Sequence, residues 1–203
     1  MKNTLIKDAL ILTAITLVSG IALGLVYEVT KGPIAEQEYK AQQEAYAAVF
    51  EEASSFEEYA DFDADEALSA IGDLASQNTI DGVMEALDAS GEVLGYVITV
   101  SDTAGYGGTV TFSVGISNDG TMNGIAFTTL NETAGLGMKA KEDDFSSQFK
   151  GISSESLEVV KTTPGDGEIK AISGATITSK AVTSGANAAL SYFYNVLGGG
   201  ANE

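Results

Sequence analysis

A run of nineteen uncharged, largely aliphatic residues, from 9 to 27, is the feature that most constrains this chain. As a helix, a run of that length suffices to cross the hydrocarbon core of a bilayer. A cleaved signal peptide has a shorter apolar core and a small-residue cleavage site, whereas Glu28-Val29-Thr30-Lys31 follows here, so we predict a retained anchor. Lys2 and Lys7 precede the run, which predicts a cytoplasmic N-terminus and an extracytoplasmic remainder.

The predicted span divides the chain into four segments. Residues 1–8 are the cytoplasmic N-terminus, and residues 9–27 are the transmembrane helix. Residues 28–88 are predicted to form a helical stalk, in which a new helix starts near Pro33, followed by an acidic helical segment. Residues 89–203 are predicted to form the main domain.

The main domain has the pattern of an α+β fold. The runs 93–100, 109–116 and 122–127 are short, β-branched or alternating, and Asn118-Asp119-Gly120 is typical of a hairpin turn. They predict an antiparallel sheet with one apolar face, packed against helices. A final helix, running to about Leu197, places apolar residues at helical spacing on the face that should cover the sheet: Val182, Ala186, Ala189, Leu190, Phe193 and Leu197.

The composition excludes several kinds of binding and catalytic site. The net charge of −19 argues against nucleic acid as a partner, because phosphate backbones attract basic surfaces. Without any Cys or His, the chain has no Cys/His zinc site, thiolate-bound iron–sulfur cluster or Ser-His-Asp catalytic triad. A carboxylate-only cation site stays open, but no residue is assigned to a metal or to catalysis. A chain of this composition that handles electrons must therefore use an organic cofactor.

The stretch Ser-Gly-Ala-Thr-Ile-Thr-Ser, residues 173–179, opens the predicted final helix. Small residues let the backbone approach a ligand, and the N–H groups and dipole of a helix start favour an anion such as phosphate. Six of the ten lysines lie between residues 139 and 180, which supports local positive charge around a bound phosphate. The same hydroxyls are also typical of an ordinary helix cap at Thr178 or Ser179. The residues alone leave both interpretations open.

The order Ser-Gly-Ala-Thr, followed by Thr-Ser, resembles the flavinylation motif of the FMN-binding domain in Rnf and Na+-pumping quinone reductase complexes. Three further segments resemble this family, and the G subunits of Rnf complexes in particular. They are Pro33-Ile34-Ala35-Glu36-Gln37 after the apolar run, Gly105-Tyr106-Gly107-Gly108, and Glu132-Thr133-Ala134-Gly135-Leu136-Gly137. In the last segment the family usually has Pro at the position of Ala134. The resemblance covers most of the chain.

The resemblance implies that residues 89–203 are an FMN-binding domain and that Thr176 carries FMN through a phosphoester. It implies that Ser173, Gly174 and Ala175 shape the attachment loop and that Thr178 and Ser179 hydrogen-bond the phosphate. Residue 170 is Lys where the family commonly has Asp, so tight noncovalent FMN is the competing outcome. The remaining cofactor-binding residues implied are Tyr106, Gly107, Glu132, Thr133, Leu136, Gly137 and Lys139.

The resemblance also implies a function. The chain would be the electron-transfer subunit of an ion-translocating ferredoxin:NAD+ oxidoreductase, an enzyme complex in which this subunit is not catalytic alone. Its partners would be the other Rnf subunits, namely RnfA, RnfB, RnfC, RnfD and RnfE, together with the membrane and a flavin transferase for maturation. Two alternatives stay open: another extracytoplasmic FMN carrier, such as the NqrC component of a Na+-pumping NADH:quinone reductase, and a non-redox, membrane-tethered binding domain.

Overall fold

The computed structural model of the chain describes residues 2–198. Met1, in the predicted segment 1–8, and residues 199–203, at the end of the predicted segment 89–203, lie outside the described residues. The chain divides into two compact units, Met1–Ala41 and Gln42–Glu203. The boundary between the units therefore lies well before residue 89, where the main domain is predicted to start.

One long helix, α1 (Lys2–Val49), forms the first unit and ends within the second. Among the described residues, α1 is the one helix long and apolar enough to cross a membrane, and the large aliphatic side chains of its apolar run, residues 9–27, are exposed. A helix that is apolar all round is suited to a lipid environment. The prediction that a new helix starts near Pro33 is wrong, because α1 continues through this residue. Proline removes only one N–H donor, and the Ala-, Glu- and Gln-rich residues after it favour a helix.

The second unit is built on a five-stranded antiparallel sheet in which every strand pairs with its neighbour in sequence. The last three strands confirm the three predicted ones. The strands are β1 (Ser55–Glu58), β2 (Asn78–Leu87), β3 (Val93–Asp102), β4 (Val110–Ser117) and β5 (Met122–Thr129).

The structure corrects the prediction that the segment after the stalk is helical up to residue 88, because β1 and β2 lie within it. A bulge in β2 interrupts the alternation of apolar and polar residues by which a strand is predicted. Ile80 pairs with Val100 and Gly82 pairs with Thr99, so Asp81 is an extra residue in the ladder. A bulge of this kind shifts the inward-facing positions by one and breaks the period of two.

Helices and a small second sheet complete the unit. Asp63 caps the start of α2 (Ala64–Ile71), since its carboxylate accepts a hydrogen bond of 2.8 Å from the Glu66 amide. Short 3-10 helices occupy Gly72–Ser76, Gly137–Lys141 and Ser147–Phe149. The other elements are α2 (Ala64–Ile71), α3 (Asp143–Ser146), α4 (Thr176–Asn195), and the parallel pair β6 (Glu158–Val160) and β7 (Glu168–Lys170).

Helix α4 covers one face of the main sheet, as its periodicity predicts. Val182, Leu190 and Phe193 are fully buried or nearly so. Gly185 lets the helix approach closely, because a Cβ atom there would lie 2.7 Å from Cζ of Phe112. The main core therefore lies between α4 and this face of the sheet.

The opposite face is covered as well, which differs from the predicted sheet with a single apolar face. Tyr46, Val49 and Phe50, at and just beyond the end of α1, form a second buried cluster with residues of β2 and β3. A Cβ atom on Gly115 of β4 would lie 2.5 Å from the carbonyl oxygen of Val49, so only glycine fits there. The sheet is consequently the central layer of the unit.

Candidate functional site

A cavity of about 480 Å³ lies where three loops meet. One loop joins β3 to β4, the second follows β5, and the third immediately precedes α4. This volume lies within the usual range of small-molecule sites. Nine of the ten residues that line it were predicted as site residues. The lining is Tyr106, Glu132, Thr133, Leu136, Gly137, Gly174, Ala175, Thr176, Ile177 and Thr178.

The start of α4 forms one wall of the cavity and carries no side-chain cap. Its cap position is Ala175, whose methyl group accepts no hydrogen bond. Within residues 2–198, the amides of Thr176, Ile177 and Thr178 have no hydrogen-bond acceptor. Neither Thr178 nor Ser179 closes the helix start, so the capping interpretation is wrong. Uncapped amides at a helix N-terminus are suited to a phosphate group.

Gly174 gives the attachment loop its shape. It has a φ of 80°, in the left-handed region that favours glycine, and a Cβ atom there would lie 3.1 Å from the Leu136 side chain. The loop between Ile172 and α4 therefore turns tightly against the segment that follows β5. Thr176, the first residue of α4, is half-buried in the resulting wall.

Ser179 does not line the cavity, which corrects the prediction that it binds phosphate. It is fully buried, and its hydroxyl donates to the carbonyl of Ala175 and accepts from the amide of Ile172, both at 2.9 Å. Ser179 therefore holds the attachment loop onto α4. The helical periodicity could have indicated this, because residue 179 precedes Val182 by three positions on the buried face.

Gly107 is also absent from the lining, but it brings two of the walls together. A Cβ atom on it would lie 1.9 Å from the carbonyl oxygen of Asn131 and 3.2 Å from Cα of Glu132. Across the same contact, the Tyr106 amide donates a hydrogen bond of 2.9 Å to Oε1 of Glu132. The predicted Gly-Tyr-Gly-Gly loop thus supports the site through its backbone.

The predicted residues Ser173 and Lys139 line a separate, neighbouring cavity of about 320 Å³, together with Lys170. No lysine lines the larger cavity, and Glu132 is its one charged lining side chain. The predicted local positive charge around a bound phosphate is therefore not supplied by the side chains of this lining. The positive electrostatic potential that would favour a phosphate there comes from the amides at the start of α4.

Three of the lining residues have large apolar side chains that are exposed. Tyr106, Leu136 and Ile177 are 70%, 42% and 53% exposed, although large apolar residues normally lie inside a folded unit. Such side chains provide contact area for a flat aromatic ring. The sequence reasoning missed Ile177, for which the available signal was an apolar residue between two threonines in the first turn of a helix.

A buried acid lies where the loop from β3 to β4 begins. Asp102 is fully buried; its Oδ1 accepts the Ala104 amide at 2.7 Å, while its Oδ2 has no partner among the described residues. Burial raises the pKa of this carboxyl, and the hydrogen bond from the Ala104 amide partly opposes the shift. Oδ1 of Asn78, the residue paired with Asp102 across β2 and β3, also lacks a partner.

Comparison with known proteins agrees with this geometry. The FMN-binding domain family matches residues 105–191, and the RnfG N-terminal region matches residues 1–49. The G subunit of the Na+-translocating ferredoxin:NAD+ oxidoreductase complex of Acetobacterium woodii is 39% identical over 193 residues, which are 94% of this chain and 92% of that protein. The chain belongs to the RnfG family.

A second relative supports this assignment, and a solved structure shares the fold. The G subunit of the proton-translocating ferredoxin:NAD+ oxidoreductase complex of Clostridium ljungdahlii is 30% identical over 93% of this chain and 91% of that protein. The crystal structure of NqrC from Shewanella oneidensis shares the fold, with a TM-score of 0.52 over 80% of this chain and 94% of that chain, at 18% identity. All ten residues that line the larger cavity lie within the matched FMN-binding domain.

Proposed function

We propose that the chain is the FMN-carrying electron-transfer subunit of an ion-translocating ferredoxin:NAD+ oxidoreductase complex of the Rnf type. One observation carries the proposal: the uncapped amides of α4 and the residue Thr176 share a wall of a cavity inside the FMN-binding domain. Its size and its exposed apolar side chains fit a flavin. The chain itself is not catalytic, and the complex is the enzyme.

In this proposal Thr176 holds the cofactor through a phosphoester. The Oγ of Thr176 would be joined to the phosphorus of FMN, and the product would be lighter than free FMN plus the free chain by one water, made up of the threonine hydroxyl hydrogen and one hydroxyl group of the phosphate. The amides at the start of α4 and the Thr178 hydroxyl hydrogen-bond the phosphate, while Gly174 and Ala175 shape the loop.

The apolar side chains Tyr106, Leu136 and Ile177 position the ring system and exclude water from part of it. Thr133, with the backbone of the segment that follows β5, faces the ring edge. Bound FMN supplies the ability to accept and release electrons, which the side chains of this chain lack. The function of the residues is therefore to hold the cofactor at a fixed place.

We further propose the arrangement in the membrane. Residues 9–27 of α1 span the bilayer, Lys2 and Lys7 remain on the cytoplasmic side, and the FMN-binding domain lies on the opposite side. The partners are RnfA, RnfB, RnfC, RnfD and RnfE, and a flavin transferase attaches the cofactor. The alternative of a quinone reductase component has only the shared fold in its favour, whereas the relatives matched along the chain are G subunits of ferredoxin:NAD+ complexes.

The attachment is tested by intact mass and colour of the full chain produced with a flavin transferase. We expect a gain of one FMN minus water, located on the peptide around Thr176, and yellow colour that survives denaturation and dialysis. Thr176→Ala should abolish both, while Thr178→Ala, which loses one hydrogen bond to the phosphate but keeps the attachment atom, should still gain the mass of one FMN minus water.

Other outcomes separate the alternatives. Colour that is lost on denaturation would show noncovalent FMN and refute the phosphoester. Modification that persists in Thr176→Ala and disappears in Thr178→Ala would move the attachment to Thr178. A colourless chain with the mass of the bare polypeptide would leave a membrane-tethered domain without a redox function.

A further inference from the structure

The cavity wall contains one carboxylate, that of Glu132. It is half-buried in the segment that follows β5, and it is the one charged side chain of the lining. In a site that otherwise presents apolar side chains, glycines and hydroxyls, this side chain is the main local source of fixed charge. A charge that is partly shielded from water acts more strongly on its surroundings than an exposed one.

The carboxylate accepts a hydrogen bond from the loop between β3 and β4 and lies close to the start of α4. Its Oε1 accepts the Tyr106 amide at 2.9 Å. A Cβ atom on Gly137 would lie 2.7 Å from Oε2 of Glu132 and 2.7 Å from Oγ1 of Thr178, so these three groups are close neighbours. Glu132 therefore has a fixed position relative to the start of α4, and its negative charge has a fixed distance to any cofactor held there.

We propose that Glu132 lowers the redox potential of the bound flavin. This inference rests on the proposed function. Each electron that a redox centre of a partner protein delivers to the flavin adds one negative charge to it, unless a proton from water follows. A fixed carboxylate in the wall repels that added charge and so favours the oxidised form. Across a cavity of this size, the repulsion of two unit charges at an effective dielectric constant of about 20 corresponds to at least roughly a tenfold change in the ratio of reduced to oxidised cofactor.

The charge of Glu132 can be separated from its structural contact. Glu132→Gln keeps an oxygen that accepts the Tyr106 amide and keeps the shape of the side chain, but it removes the charge. Glu132→Ala removes both the charge and the contact. Glu142→Gln is the matched control, because Glu142 lines the neighbouring cavity and its substitution removes an equal charge outside the FMN cavity.

The test is a redox titration, followed by flavin absorbance, of the full-length chain and the three variants, each produced with a flavin transferase. At a fixed poise, Glu132→Gln should raise the ratio of reduced to oxidised flavin at least tenfold, which is about 59 mV for a one-electron couple. Glu142→Gln should give a clearly smaller shift. Thermal unfolding should change little in Glu132→Gln and should occur at a lower temperature in Glu132→Ala.

The results distinguish this inference from the proposed function. If the unsubstituted chain carries no flavin, the proposed function fails. If both the unsubstituted chain and Glu132→Gln are yellow and their midpoint potentials agree, or if Glu142→Gln shifts the potential equally, Glu132 has no specific effect and this inference is overturned. A Glu132→Gln chain that loads no flavin would assign the residue to cofactor loading and would also overturn it.

Discussion

The close approach of two cavity walls at Gly107 leads to a quantitative prediction. In Gly107→Ala the new methyl carbon would lie 1.9 Å from the Asn131 carbonyl oxygen and 2.9 Å from the carbonyl carbon. Both atoms belong to the backbone, so no side-chain rotation relieves the overlap, and the loops on either side must separate. Overpacking of this kind costs about 1–3 kcal/mol, which corresponds to a decrease in melting temperature of roughly 2–12 °C for a domain of this size.

The separation should also affect the cofactor. The hydrogen bond from the Tyr106 amide to Glu132 crosses the same contact, so moving the loops apart weakens it. We expect Gly107→Ala to carry less flavin per chain than the unsubstituted protein. Both effects are measured on the detergent-solubilised full chain. Circular dichroism during heating gives the melting temperature, and the ratio of flavin to protein absorbance gives the flavin content.

The matched control is Gly82→Ala. A Cβ atom on Gly82 would have no neighbour within 4 Å, and the residue has no left-handed backbone conformation. This substitution should leave the flavin content unchanged and the melting temperature equal or slightly higher, since alanine restricts the unfolded chain. If Gly107→Ala unfolds at the same temperature as Gly82→Ala and binds as much flavin, the two loops are not in contact and the site geometry is wrong.

Two further predictions concern the core. Gly115→Ala should lower the free energy of unfolding by about 1–3 kcal/mol, because its Cβ atom would lie 2.5 Å from the Val49 carbonyl oxygen and push the end of α1 off the sheet; unchanged thermal unfolding would contradict this packing. Asp102→Asn should stabilise the protein at pH 7 by about 1–3 kcal/mol, since its amide can donate to the unpaired Oδ1 of Asn78. Burial raises the pKa of Asp102 in the folded state above its unfolded-state pKa of 3.8. The unsubstituted protein therefore loses stability as the pH rises from 3.8 through the folded-state pKa. At acidic pH, where Asp102 is protonated in both states, Asp102→Asn should no longer be more stable than the unsubstituted protein. Urea unfolding between pH 3.5 and pH 7, at intervals of about half a unit, measures this difference, and a constant difference would refute the assignment.

The sequence predicts the parts of the fold whose hydrophobic period is undisturbed. Strands β3 to β5 and helix α4 follow clear periods of two and 3.6, and the structure confirms them. Strand β2 is not predicted from the sequence, because the extra residue at Asp81 shifts its alternation of buried and exposed positions. In addition, Met84, Glu85 and Ala86 favour a helix when taken alone. The pairing of β1 with β2 is a contact between distant residues, which a local pattern does not contain.

The candidate site shows a similar division. Its residues were identified from the resemblance to a family, and the structure brings nine of them to one cavity. Ser179, Ser173, Gly107 and Lys139 are close in sequence to lining residues but do not line this cavity. Which way a side chain faces depends on helix register and on how loops pack, so a motif identifies the neighbourhood of a site more reliably than each of its contacts.

The position of the cavity follows from where its loops are attached. The loop that contains Tyr106 joins β3 to β4, the segment that contains Glu132 follows β5, and α4, which begins at Thr176, packs against the same sheet. The three strands are adjacent, so each wall begins at the end of a rigid element in one shared core. Loops attached to a common core hold their side chains more precisely than loops attached to separate ones. The same argument explains the role of the glycines in these loops. The backbone of Gly107 packs against the backbone of Asn131, Gly137 packs against the side chains of Glu132 and Thr178, and the hydrogen bond to Glu132 joins two of the loops. Here the small size of glycine brings the walls close together.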